Sequence, residues 1–99
     1  MRRAIVLNEA DSVATALAEL QPGEVVEVQV GSNVLAIRLV DPVPFGHKFS
    51  IVGIPCGEKV VKYGEVIGRA TRSISVGEHV HVHNVESERG RGDRAAAMR

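Results

Sequence analysis

The chain has 99 residues, 44% of them apolar and 3% aromatic, which predicts one small domain with an aliphatic core. Twelve basic and twelve acidic side chains cancel, and no apolar run reaches the roughly 20 residues of a membrane span, so neither nucleic acid nor a membrane is expected as a partner. The single cysteine, Cys56, excludes a disulfide within the chain and predicts a reducing, cytoplasmic location.

The first predicted elements are a short strand and a helix. The apolar run from Ala4 to Leu7 indicates the strand. The segment DSVATALAEL then repeats its apolar side chains at helical spacing, and Asn8 or Asp11 can cap a helix there. Pro22 would end this helix, which is the one helix we expect.

From Glu24 onward the apolar residues alternate, as in β-strands. EVVEVQV and NVLAIRLV, joined by the turn at residues 31–33, predict a hairpin. Further short strands, separated by turns that contain Gly or Pro, are expected at residues 49–54, 60–62, 66–71 and 79–83. The sequence therefore predicts a compact, mostly β domain over residues 1–84, followed by an exposed tail or linker over residues 85–99.

The stretch GEHVHVHN places His79, His81 and His83 at alternate positions, so that on a strand they share one face opposite Val80 and Val82. Neighbouring histidines would be about 6.6 Å apart at Cα and can reach one metal ion, whereas His79 and His83, about 13 Å apart on a straight strand, cannot. One pair plus an outside ligand is the arrangement we expect. The alternative is a polar strand face that meets only water.

Two other segments present chemically useful side chains. His47 and Lys48 lie in the loop PFGHKF, which can present an imidazole and an ammonium together for proton transfer or for holding a carboxylate. Lys62 and Tyr63 form a second donor pair beside a turn. The alternatives are a polar loop tip and a half-buried core tyrosine. Cys56 has no base near it in sequence and is expected to be a small buried side chain.

Three segments in series, PFGHKF, KYGEVIGRAT and GEHVHVHN followed by RGRGD, resemble the small amino-terminal SAF-type domain of the altronate and galactarate dehydratase family. That family includes the small subunit of sulfolactate sulfo-lyase. The resemblance covers roughly residues 10–93 and implies a β-clip-like fold. It also implies a lyase for hydroxylated carboxylic acids that works with a large catalytic domain or subunit. The cofactor it implies is a divalent metal, Fe²⁺, with Mn²⁺ or Zn²⁺ as alternatives.

The resemblance carries over eight side chains, to which we assign roles as hypotheses. The expected catalytic group is His47, Lys48, Lys62 and Tyr63. The expected substrate contacts are Lys48, His83 and Asn84. The expected metal ligands are His79 and His81.

Three functions follow as hypotheses. The leading one is the small subunit or amino-terminal domain of a metal-dependent hydro-lyase that dehydrates a sugar acid such as altronate or galactarate, inactive without its large partner. The second keeps the fold but has sulfolactate as substrate and sulfite as product. The third is a non-catalytic docking module. Histidines that all face open solvent would favour the third, whereas convergence of the histidine segment and the GHK loop on one cleft would favour a lyase component.

Overall fold

The computed structural model describes residues 2–87, and in this part of the chain every regular element is a β-strand. The strands are β1 (Ala4–Ile5), β2 (Val13–Ala16), β3 (Val25–Val30), β4 (Asn33–Arg38), β5 (Lys48–Ser50), β6 (Lys59–Lys62), β7 (Glu65–Ala70), β8 (His79–Val80) and β9 (Val85–Ser87). The prediction of a mostly β domain is confirmed. Within residues 2–87 no helix is long and apolar enough to cross a bilayer.

The strands form three small antiparallel sheets. One sheet has the order β1-β2-β5-β8, the hairpin β3-β4 forms the second, and the third has the order β6-β7-β9. Because the strands are short, each sheet covers only part of the core, and loops and isolated bridges join them. One such bridge pairs Leu20 with Val43, and another pairs Ile54 with Ile74.

The helix predicted from DSVATALAEL is wrong, because this segment contains the strand β2. β2 lies between β1 and β5, with Ala14 paired to Phe49, and three of its four side chains are buried. Asp11 does not cap a helix; its carboxylate accepts hydrogen bonds from the backbone N–H groups of Leu7, Asn8 and Gly64. Strand pairing on both sides has therefore overridden a local pattern that also suits a helix.

The hairpin predicted around residues 31–33 is confirmed. β3 and β4 pair in register from Val25–Arg38 to Val30–Asn33. The turn between them places Gly31 at φ 61°, a conformation that glycine adopts without steric cost. Val26 and Val28 point into the core while their neighbours in sequence are exposed, as the alternation predicted.

The core is aliphatic and forms two clusters. The larger surrounds Phe49, which is fully buried, and the smaller includes Val60 and Val80 beneath β6 and β8. Phe45 stays 64% exposed, so the two phenylalanines on either side of the GHK loop have opposite environments. Cys56 is exposed, so the expectation that it is buried is wrong.

The β domain extends beyond the predicted boundary at residue 84, because Val85–Ser87 forms β9 and pairs with β7. The two strands approach most closely at Gly68, where a Cβ atom would collide with the carbonyl oxygen of Glu86. The assignment of residues 85–87 to an exposed tail is therefore wrong. Residues 88–99, the rest of that predicted tail, lie outside the described residues.

Candidate metal centre and adjoining pocket

Three histidines from two neighbouring strands meet at one end of the four-stranded sheet. His47 lies directly before β5 and His79 begins β8, and the two strands pair with Lys48 opposite Val80. Nδ1 of His47 lies 2.9 Å from Nε2 of His79. The rings of His47 and His81 stack with centroids 4.4 Å apart. The GHK loop and the histidine segment thus converge.

The segment after Val80 turns instead of continuing as a strand. The carbonyl oxygen of His81 accepts hydrogen bonds from the backbone N–H groups of Asn84 and Val85, at 3.1 and 3.0 Å. Val82 is therefore 81% exposed, not in the core as the straight-strand prediction required. The turn also brings the ring of His83 to 5.3 Å from that of His79, although His83 remains exposed.

The side chain of Asn84 stabilises this turn from its buried side. Its side chain is fully buried; Nδ2 donates to the carbonyl oxygen of His79 at 2.8 Å, and Oδ1 accepts from the backbone N–H of His81 at 2.9 Å. These contacts indicate that Asn84 positions the histidines, and they argue against the substrate contact expected for it.

Asp41 is a residue of the site that the sequence did not reveal. Its Oδ2 accepts a hydrogen bond from the backbone N–H of His79 at 3.0 Å, across 38 positions of sequence. No local pattern marks such a contact, because Asp41 precedes Pro42 in what reads as an ordinary turn. Asp41 therefore holds the backbone at the start of β8, where His79 lies.

The surroundings favour neutral imidazoles. Burial lowers the pKa of His79, the neighbouring His47 lowers it further, and Asp41 opposes this only in part. Burial also lowers the pKa of His81, with added contributions from His47 and Lys48. A neutral imidazole keeps the ring-nitrogen lone pair that a metal ion needs.

The geometry of the three rings fits a metal ion with small side-chain movements. One ligand nitrogen each from His47, His79 and His81 lies within 4.8 Å of the other two. Nitrogens bound to one ion at 2.0–2.1 Å are about 2.9 Å apart at right angles and at most about 4.2 Å apart. The contact between His47 and His79 already matches the right-angle value. His47 therefore lies where the outside ligand expected from the sequence would be needed.

A pocket of about 330 Å³ adjoins the histidines. It is lined by Lys48, Lys62, Ile67, His81, Val82, Val85 and Ser87. Lys48 is half-buried, and burial lowers its pKa, with a further contribution from Lys62. Both lysines that were expected at the site are thus present in this pocket.

Tyr63 is the expected catalytic residue that the structure brings neither to the histidine group nor to the pocket wall. With Gly64 it forms the turn between β6 and β7, at φ 54° and 80°, the pair of positive values typical of a type I′ turn. Its hydroxyl group donates to Oγ1 of Thr15 at 3.2 Å, and its ring lies 5.0 Å from the ammonium group of Lys62. Tyr63 therefore supports Lys62 and the turn.

Comparison with known proteins supports the resemblance seen in the three segments. Residues 2–88 match the family model described as the altronate/galactarate dehydratase SAF domain. Altronate dehydratase of Bacillus subtilis is 36% identical over 87 residues, which are 88% of this chain and 17% of that enzyme. Altronate dehydratase of Escherichia coli is 41% identical over 83 residues, 84% of this chain and 16% of the enzyme.

A third relative has nearly the same length as the matched region. The (2R)-sulfolactate sulfo-lyase subunit alpha of Chromohalobacter salexigens is 36% identical over 88 residues, 86% of this chain and 94% of that subunit. The chain thus spans about one sixth of the two altronate dehydratases and nearly all of the sulfo-lyase subunit. The chain belongs to the altronate/galactarate dehydratase SAF domain family.

Proposed function

We propose that this chain is the small component of a cytoplasmic, metal-dependent lyase that acts on a hydroxylated carboxylic acid together with a larger catalytic domain or subunit. The observation that carries the proposal is the convergence of His47 from the GHK loop with His79 and His81. Family membership and the names of the relatives, altronate dehydratase and sulfolactate sulfo-lyase subunit alpha, support the reaction class. The leading substrate is a sugar acid such as altronate or galactarate.

The three imidazoles are the residues that would hold the metal. Three ligands from one small component leave coordination positions for the substrate. A divalent cation, for which Fe²⁺ is our first choice and Mn²⁺ or Zn²⁺ the alternatives, would supply Lewis acidity toward the carboxylate and hydroxyl oxygens of the acid. His83 lies beside this group and remains a candidate substrate contact.

The reaction removes the proton α to the carboxylate and expels a group from the β carbon, water in a dehydratase and sulfite in a sulfo-lyase. In the proposed arrangement Lys48 holds a carboxylate next to the histidines, because its ammonium group lines the adjoining pocket. Its lowered pKa also leaves a larger fraction of the amine neutral than in an ordinary lysine, and the neutral amine is the form that can accept a proton. His47 and Lys62 remain candidates for proton transfer, and the large component completes the site.

Sulfolactate is the alternative substrate. The sulfo-lyase subunit alpha of Chromohalobacter salexigens is 36% identical over 86% of this chain, the same identity as the altronate dehydratase of Bacillus subtilis over 88%. A docking module without catalysis is the third candidate. The convergence of three histidines from two separate segments argues against it, because it places three possible ligand nitrogens within 4.8 Å of one another.

The test is to purify the tagged chain with its large partner from its native cells and assay the complex with ferrous iron on altronate, galactarate and sulfolactate. We expect turnover of one acid. The double variant His79→Ala/His81→Ala should lower turnover by at least about 100-fold while size-exclusion chromatography still shows the complex. Lys59→Met is the control and should change turnover by less than about threefold, since Lys59 is exposed on β6 and lies outside the pocket wall. If the captured partner is unrelated to dehydratases and none of the three acids is turned over, the result would contradict the lyase function and support the docking module.

A further inference from the structure

Two lysines face the pocket beside the histidines, and none of the described residues that line it carries a carboxylate. Lys48 comes from β5 and Lys62 from the end of β6, so the pocket lies between two of the sheets. The remaining lining residues are His81, Ser87 and three aliphatic side chains, Ile67, Val82 and Val85. The pairing of β6 with β7 shifts between Val60 and Val61, so that Ile67 has no residue directly opposite it. Such an irregularity changes the direction of the side chains beside it.

Neither lysine has an ion-pair partner among the described residues. Within residues 2–87 the structure shows an ion pair between Arg3 and Glu24, and none at Lys48 or Lys62. Lys48 is half-buried and lies close enough to Lys62 for the two positive charges to repel each other. A partly buried ammonium group without a counter-charge is unfavourable, so the pocket is suited to an anion.

His81 belongs to the histidine group and also lines the pocket, so the two sites adjoin. A molecule with one acidic group at the histidines can therefore extend a second group toward the lysines. The volume of about 330 Å³ is at the lower end of the range for small-molecule sites, which suits a small acid. The aliphatic wall offers few partners for several hydroxyl groups but strengthens the attraction between charges.

We propose that Lys48 and Lys62 form an anion subsite for the second acidic group of a dianionic hydroxy acid, an inference that rests on the proposed lyase function and names its substrate class. The second group is a carboxylate or a sulfonate, which the two ammonium groups bind alike. Acids with two anionic ends, such as galactarate or sulfolactate, are then preferred over altronate, which has one.

The first test measures anion binding by the full chain without a partner. Backbone amide shifts are followed by NMR during titration with inorganic sulfate and with succinate, in chloride at constant ionic strength. We expect shifts around Lys48, Lys62 and His81, and a dissociation constant at least about tenfold higher in Lys48→Met and Lys62→Met. Lys62→Arg keeps the charge and should stay within about threefold of the wild type.

The matched control is Lys59→Met, because Lys59 lies on the same strand β6, is exposed and is not part of the pocket wall. It removes the same charge from the surface and should leave the dissociation constant within about twofold of the wild type. Equal losses in Lys59→Met and Lys62→Met, or no loss in any variant, would overturn the subsite. Circular dichroism of each variant shows whether the fold is retained, and Lys62→Arg keeps the inference testable if a methionine variant unfolds.

The second test uses the complex with the large partner. An acid that is turned over is measured by its KM, and the other acids are measured by their inhibition constants as competitors. Lys62→Met should raise the constant for galactarate and for sulfolactate by at least about tenfold and change that for altronate by less than about threefold. The galactarate and sulfolactate arms separate a carboxylate from a sulfonate. If the complex turns over an acid but Lys62→Met affects all three equally, only the anion subsite fails. If no acid is turned over, the proposed function fails, while the NMR titration still decides on the subsite.

Discussion

The side-chain amide of Asn84 donates a hydrogen bond to the carbonyl oxygen of His79 at 2.8 Å, beneath the turn that follows β8. Its Oδ1 accepts from the backbone N–H of His81, so one buried side chain fixes the backbone on both sides of Val80. The spacing of the histidine rings therefore depends on a residue that faces away from the pocket.

Replacement of Asn84 by alanine should destabilise the domain by about 2–3 kcal/mol. Two hydrogen bonds are lost, and the N–H of His81 and the carbonyl of His79 lose their side-chain partner. Urea unfolding followed by circular dichroism measures the change in free energy. Asn33→Ala is the matched control, because Asn33 is exposed at the start of β4 and should change the value by less than about 0.5 kcal/mol. Equal effects of the two substitutions would contradict the role of Asn84.

The two phenylalanines beside the GHK loop should respond very differently to the same substitution. Phe49 is fully buried and is the large aromatic side chain of the main cluster, so Phe49→Leu should cost about 1–2 kcal/mol. Phe45 is 64% exposed, so Phe45→Leu should change stability by less than about 0.5 kcal/mol. Thermal and urea unfolding of both variants gives the comparison. A loss at Phe45 as large as that at Phe49 would show that the loop packs in a way the structure does not show.

The elements that the sequence predicted well are those fixed by neighbouring residues. The hairpin from Val25 to Arg38 follows from strict alternation on both sides of Gly31. β2 was misread because its apolar spacing suits a helix as well as a strand. The decisive contacts are the pairing of β2 with β5 and the hydrogen bond from Gly64 to Asp11, just before β2. Both join residues more than 30 positions apart. A local pattern cannot weigh such contacts.

In the candidate site, too, the sequence predicted features that depend on neighbouring residues and missed a contact that depends on distant ones. The pairing of His79 and His81 could be read from their spacing, and the need for an outside ligand followed from the limited reach of a strand. The position of His47 beside His79, 32 positions away in sequence, depends on the pairing of β5 with β8. The turn at His81 was missed, because its cause is the buried side chain of Asn84, which in sequence looks like any polar loop residue.

The stability of the metal-free chain should fall as the pH is lowered below about 6.5. The pKa values of His79 and His81 are lowered in the folded state, mainly by burial, whereas the unfolded chain binds protons with the ordinary histidine pKa of about 6.5. Below that pH the unfolded state binds more protons, so the contribution is complete above pH 6.5 and is lost as the pH falls through the lowered values.

Urea unfolding at pH 7.5, 6.5 and 5.5, in the presence of a chelator, checks this sign. The double variant His79→Gln/His81→Gln removes both groups and should lose less stability between pH 6.5 and 5.5 than the wild type. Parallel curves for the two proteins would show that the pKa values of these histidines are not lowered by folding.

Metal binding by the chain alone should depend on three of its four histidines. His47, His79 and His81 can offer nitrogens to one ion, whereas His83 is exposed and outside this group. Titration with Co²⁺, followed by visible absorption, should therefore give a dissociation constant at least about tenfold higher in His47→Gln than in the wild type. His83→Gln is the matched control and should remain within about threefold. Because His47 comes from a separate segment, a loss there distinguishes the folded three-histidine site from simple binding to the HVHVH stretch. If only His79, His81 and His83 mattered, the metal would be held by that stretch alone, and His47 would have no part in the centre.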